Sequence, residues 1–94
     1  MPPAELLTEE AIEKALTDLP GWERIEDTLV KTFRFKDFSA AVGFVSTIAP
    51  IADGLDHHPD VSIHWNTVEL ILWTHTTGGI THKDIDLAHA IESR

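Results

Sequence analysis

The sequence contains no cysteine. That excludes disulfides, thiolate nucleophiles and Cys-based zinc sites, and it fits a reducing compartment. Basic residues are scarce: seven Lys and Arg stand against sixteen Asp and Glu, for a formal net charge of −9. The seven are scattered, so no cluster offsets the repulsion from nucleic-acid phosphates or an anionic membrane. Direct binding to DNA or RNA is not expected. The start, Met1-Pro2-Pro3-Ala4-Glu5, lacks the basic segment and apolar run of a signal peptide. No apolar stretch is expected to approach the roughly 20 residues of a membrane helix. A cytoplasmic protein is the expectation. Repeats, low-complexity tracts and linkers are also lacking.

What is present is an ordinary globular composition, 43% hydrophobic and 24% charged over 94 residues. That length suits one domain, residues 1–94, with a modest core that self-association would enlarge. Thr8 is placed to cap a first helix, with Glu9 and Glu10 in its first turn. Ile12, Ala15, Leu16 and Leu19 share one face, and Pro20-Gly21 ends it. Trp22 to Ile25 reads as a short strand and Leu29 to Phe35 as a longer one, with Leu29, Lys31, Phe33 and Phe35 on one side. Asp37 is placed to cap a second helix with a broad apolar stripe, whose late Pro50 should kink or loosen the last turns. Val61, Ile63 and Trp65 alternate onto one face of a third strand. Thr67 to His75 reads as the strongest strand, with Val68, Leu70, Leu72 and Thr74 on one face. After the turn Thr76-Thr77-Gly78-Gly79, the sequence Thr81-His82-Lys83-Asp84 has capping-box form and opens the last helix. The order is α-β-β-α-β-β-α. Consecutive strands with short connections predict an antiparallel sheet with helices on one face, an α+β fold.

Six histidines are many for this length. His57 and His58 follow the second helix and His75 ends the strongest strand, positions where rigid elements aim side chains that stay accessible. An imidazole with an ordinary pKa of about 6.5 suits acid–base work. Two imidazoles facing one substrate can divide it, one protonating a leaving group while the other removes a proton. Asp53 lies four residues before His57; if the helix persists, the carboxylate shares a face with that ring and orients it. His64, His82 and His89 read as solvated or structural. Asp84 occupies the third position of the capping box, where a scaffold role competes with a site role. Trp22 and Trp65 read as core or pocket-wall aromatics.

The spacing of these residues, Asp53, then His57-His58-Pro59, then Trp65, His75 and Asp84, resembles that of the pterin-4a-carbinolamine dehydratases. That family is also known as dimerization cofactors of a homeodomain transcription factor. Gly21-Trp22, Phe33, Phe35, Phe38, Phe44-Val45, Thr74-His75, Gly78-Gly79, Thr81 and Leu87-Ala88 extend the resemblance over residues 5 to 93. It implies a four-stranded antiparallel sheet with helices on one side. The implied activity is dehydration of a 4a-hydroxytetrahydropterin to quinonoid dihydropterin and water, in recycling the cofactor of aromatic amino-acid hydroxylation. No metal or cofactor is implied. By matching position, His57, His58 and His75 would line the pterin pocket. His57 and His75 would be the acid–base pair, and His58 would bind and orient the pterin. Asp53, Pro59, Asp84, Trp22 and Trp65 would support or bind substrate. A homodimer joined along sheet edges, pairing into a homotetramer, is also implied.

Three positions depart from the family pattern. Trp73 replaces a residue commonly small or polar, on the same face as His75, where it would narrow the pocket or sit in a subunit contact. Pro50 is unusual in the second helix, and Asp53 is shorter than the common glutamate. Two other functions compete. One is a non-catalytic dimerisation or assembly cofactor acting through its surface. The other is a zinc site built from His57, His58, His75 and Asp53.

Overall fold

A computed structural model of the chain describes residues 4–94. The elements are α1 (Glu9–Leu16), β1 (Glu23–Ile25), β2 (Thr28–Arg34), α2 (Phe38–Leu55), β3 (Asp60–His64), β4 (Thr67–Leu72) and α3 (His82–Glu92). The order α-β-β-α-β-β-α is the expected one. The four strands form one antiparallel sheet in the order β1-β2-β4-β3. Two-residue turns, Glu26-Asp27 and Trp65-Asn66, close the two hairpins, and the first residue of each turn takes positive φ. The long crossover through α2 then lays β4 beside β2, so the strongest strand sits between two others.

One face of the sheet is apolar because of the period-2 alternation. Leu29 on β2 and Val68, Leu70 and Leu72 on β4 are fully buried, in one cluster with Ile12 of α1, Ala41, Phe44, Ile48 and Ala52 of α2, and Leu87, Ala88 and Ile91 of α3. The cluster spans all three helices, so they lie on that face, as the pattern predicts. Phe44 bridges Phe33 and Phe35, with ring centroids 4.6 and 4.9 Å away. The opposite face carries Val30, Thr32, Glu69 and Ile71.

The helix ends follow local chemistry. The Thr8 hydroxyl accepts from the Ala11 N–H and the Asp37 carboxylate from the Ala40 N–H. Arg24 of β1 donates to Glu9, tying the first turn of α1 to the sheet edge. That hydrogen bond holds the Glu9 carboxyl below its ordinary value.

Several expectations are corrected. Helix α1 stops at Leu16, and Leu19 reaches the core from the following turn. Strand β4 ends at Leu72, not His75; Thr74 makes only an isolated bridge to Gly79. Pro50, expected to kink or loosen the last turns of α2, lies within a helix that runs on to Leu55. That helix has 18 residues of mean hydropathy 1.4, enough in length and composition to cross a membrane, contrary to expectation. Here one side of it is spent on the sheet, through Ala41, Phe44, Ile48 and Ala52.

Candidate functional site

The chain between α2 and β3 decides where the paired histidines point. Helix α2 closes at Asp56, which adopts the left-handed conformation with φ 50 and ψ 40 and sends its N–H to Ala52 and Asp53 carbonyls. The chain leaves the helix axis there and continues without regular structure through Pro59. Successive side chains then diverge. The His57 ring goes inward, with 11% of its side chain exposed, while His58 stays 57% exposed.

His57 meets the N-terminus of α3. Its Nε2 lies 2.6 Å from Oδ1 of Asp84, whose side chain is fully buried. The other oxygen, Oδ2, accepts from the Thr81 N–H and the Thr74 hydroxyl, both at 2.9 Å. The Thr74 hydroxyl has one proton and gives it to Asp84, so across the 2.7 Å contact between the two hydroxyls it is Thr81 that donates. Thr81 accepts in turn from the Lys83 N–H at 3.2 Å. Every group around Asp84 is therefore a donor, and the facing His57 nitrogen is assigned its proton from that network. Nδ1 is left as the ring nitrogen available to a substrate. Asp84 thus completes the capping box and also contacts His57.

His58 turns the other way, back over α2, and its Nε2 lies 2.8 Å from Oδ1 of Asp53. The expected Asp53–His57 pair is therefore corrected to Asp53–His58. The left-handed residue at Asp56 breaks the helical spacing that would have aligned the expected pair.

His75 sits in the turn after β4. Thr74 pins that turn: its N–H donates to the Gly79 carbonyl at 2.8 Å, and its own carbonyl accepts from Gly78 at 2.7 Å. Gly78 has φ +84, a conformation that a β-carbon would strain. The bridge holds His75 across from the loop after α2.

These segments enclose a pocket of about 400 Å³. Asp56, His57, His58, Pro59 and Asp60 form one wall. Trp73, Thr74, His75 and Thr76 form another, and Lys83 of α3 stands at the side. The three predicted histidines and Pro59 thus come together, with Asp84 directly behind His57 and Asp53 reaching the site through His58. Trp22 and Trp65 do not join them. Trp22 is buried in the core, edge-on to Phe33 at 6.4 Å, and among the described residues its indole N–H has no hydrogen-bond partner. Trp65 is 69% exposed in the β3–β4 turn. The aromatic wall is Trp73 instead. Sequence reasoning also missed Asp60 and Lys83. A lone carboxylate at a strand start and a lone lysine in a helix's first turn carry no pattern of their own. Among the described residues, no group of three His, Asp or Glu side chains is arranged to hold a metal ion, so the zinc alternative gains no support.

Of the pocket's three imidazoles, His57 and His75 stand on facing walls with different support. One is part-buried and fixed by a carboxylate; the other is exposed on the facing wall. That suits a reaction in which one proton is delivered and another is taken up.

The sequence pattern of the family described as pterin 4 alpha carbinolamine dehydratase matches residues 5–94. A provisionally named pterin-4-alpha-carbinolamine dehydratase of Thermosynechococcus vestitus is 49% identical over 90 residues, covering 96% of this chain and 95% of its own. A protein of the same provisional name from Sulfolobus acidocaldarius is 47% identical over 85 residues, covering 90% and 93%. Among solved structures, a transcriptional coactivator/pterin dehydratase from Brucella melitensis superposes with TM-score 0.86 at 38% identity, covering 93% of this chain and 95% of that one. A pterin dehydratase-like RuBisCO assembly factor of the alpha-carboxysome shares the fold, with TM-score 0.60 at 18% identity over 77% of this chain and 83% of its own. With its sequence matched over nearly its full length, the chain belongs to the pterin-4-alpha-carbinolamine dehydratase family.

Proposed function

We propose that this protein dehydrates a 4a-hydroxytetrahydropterin to the quinonoid dihydropterin and water. His57 and His75 are its acid–base pair. In the reaction the C4a–O bond breaks, and the hydroxyl leaves as water with a proton from the acid. The ring N–H beside C4a gives its proton to the base, and the electron pair of that bond closes the new C=N bond. Protons are conserved and nothing is oxidised, so the reaction needs no redox cofactor. Unassisted loss of hydroxide near neutral pH is slow, and a positioned acid and base typically contribute about 10²–10⁴-fold. His58, turned outward on Asp53, binds and orients the pterin. Tetrahydropterin recycling in the cytoplasm, downstream of an aromatic amino-acid hydroxylase, is the setting we propose. The working form is a homodimer or homotetramer.

The observation that carries this reading is the part-buried His57, backed by the buried Asp84, on the same pocket as His75. The test follows the decay of 4a-carbinolamine absorbance with wild type, His57→Ala, His58→Ala and His75→Ala. The His57 and His75 variants should lose about 10²-fold or more in kcat, and His58→Ala should mainly raise KM. Equal activity in all four proteins would sink the assignment.

A second reading is a binding or assembly module. The Brucella relative is described as a transcriptional coactivator as well as a pterin dehydratase. The exposed apolar residues Phe38 and Val42 of α2 and Val61 of β3, all outside the pocket, favour such a role here. An intact protein that left the carbinolamine's decay rate unchanged would favour this reading over catalysis.

A further inference from the structure

One aromatic of the pocket has no part in the acid–base reading. Trp73 and His75 stand two residues apart, with ring centroids separated by 3.9 Å and planes inclined by 36°. The Trp73 indole N–H donates to Oδ2 of Asp60 at 2.9 Å. Asp60 is the first residue of β3, in register with Ile71 of β4, so the sheet sets the position of that carboxylate. The same oxygen lies 3.7 Å from His75 Nε2, beyond hydrogen-bond length. The stacked indole, not a hydrogen bond, therefore sets the plane of the imidazole.

His75 has little else to hold it. Its side chain is 58% exposed, and among the described residues its ring has no hydrogen bond within 3.5 Å. An exposed imidazole without support exchanges among rotamers, and only some of them face a substrate. His57 needs no such help, because Asp84 fixes it.

We propose that Trp73, anchored by Asp60, is a positioning residue for His75. The indole braces the imidazole in the orientation that faces His57 across the pocket. The catalytic consequence rests on the dehydratase reading; the bracing itself does not.

The test joins proton NMR of the histidine rings to kinetics. Wild type, Trp73→Leu, Trp73→Phe and Asp60→Ala are compared, with His75→Gln used to assign the His75 Cε1–H signal. Stacking on an aromatic face should place that signal upfield of the other exposed histidines. The shift should vanish in Trp73→Leu, persist in Trp73→Phe and weaken in Asp60→Ala. In the dehydratase assay, Trp73→Leu should lower kcat about tenfold with little change in KM, and Trp73→Phe should recover most of it. A wild-type His75 signal among those of the other exposed histidines overturns the proposal. So does a folded Trp73→Leu protein with kcat within twofold of wild type. A wild type that is inactive on the pterin, yet keeps the upfield signal and loses it in Trp73→Leu, overturns the dehydratase reading and supports the bracing.

Discussion

Asp84 is fully buried and serves three donors drawn from three parts of the chain: the Thr81 N–H, the Thr74 hydroxyl and His57 Nε2. Removing it strands all three, and each unmet buried group costs about 1–3 kcal/mol. Asp84→Ala should therefore destabilise the fold by about 3 kcal/mol or more in urea unfolding. Asp84→Asn separates the two roles. Its amide oxygen still accepts from the cap, but its NH₂ faces His57 and demands the opposite tautomer. The variant should stay folded and lose activity with little change in KM. Unchanged kcat in a folded Asp84→Asn protein would leave Asp84 a scaffold residue alone. The capping role is legible in Thr81-His82-Lys83-Asp84; the contact with His57 is not, because the two residues stand 27 positions apart. The expected Asp53–His57 pairing failed for a local reason. The single left-handed residue at Asp56 turned His57 inward and left Asp53 to His58.

At the scale of elements, α2 carries the helical half of the core and ends where the site begins. Pro50 lies exposed within it, unable to donate to the carbonyl one turn earlier. The helix survives because Ile48 and Ala52, flanking Pro50, are both buried in the core cluster, and packing outweighs propensity. Pro50→Ala should raise the thermal midpoint, with a gain of up to about 3 kcal/mol at an exposed helix position. A lower midpoint would mean that the neighbouring backbone has adapted to the proline. Strand β4 teaches the complementary lesson. Its alternation correctly identifies Val68, Leu70, Leu72 and Thr74 as one buried face. Alternation does not tell where ladder pairing stops, because that depends on the partner strands: β2 and β3 pair with β4 only as far as Leu72 and Ile71. The segment released beyond Leu72 is the one that brings Trp73 and His75 into the pocket.

At the scale of the molecule, the three helices cover one face of the sheet, and among the described residues the other, with Val30 and Ile71, has no layer of its own. Phe38 and Val42 of α2 are also exposed, at 54% and 40%. A chain of this size gains by burying such surface against further copies. Sedimentation equilibrium should therefore report a dimer or tetramer, and the thermal midpoint should rise with protein concentration. A monomeric mass and a concentration-independent midpoint would remove that expectation. The net charge of −9 should keep each form from binding nucleic acid even at low salt.

The order of elements, the buried faces of β2 and β4, the caps at Thr8, Asp37 and Thr81 and the three histidines that line one pocket were determined by the sequence, because they depend on periodicity and on neighbours a few residues away. Tertiary structure alone decided which carboxylate serves which histidine, that Trp73 and not Trp22 or Trp65 is the aromatic wall, and that Asp60 and Lys83 stand at the site. Those outcomes depend on contacts between distant segments and on single backbone conformations such as that of Asp56. Neither leaves a periodic trace in the chain.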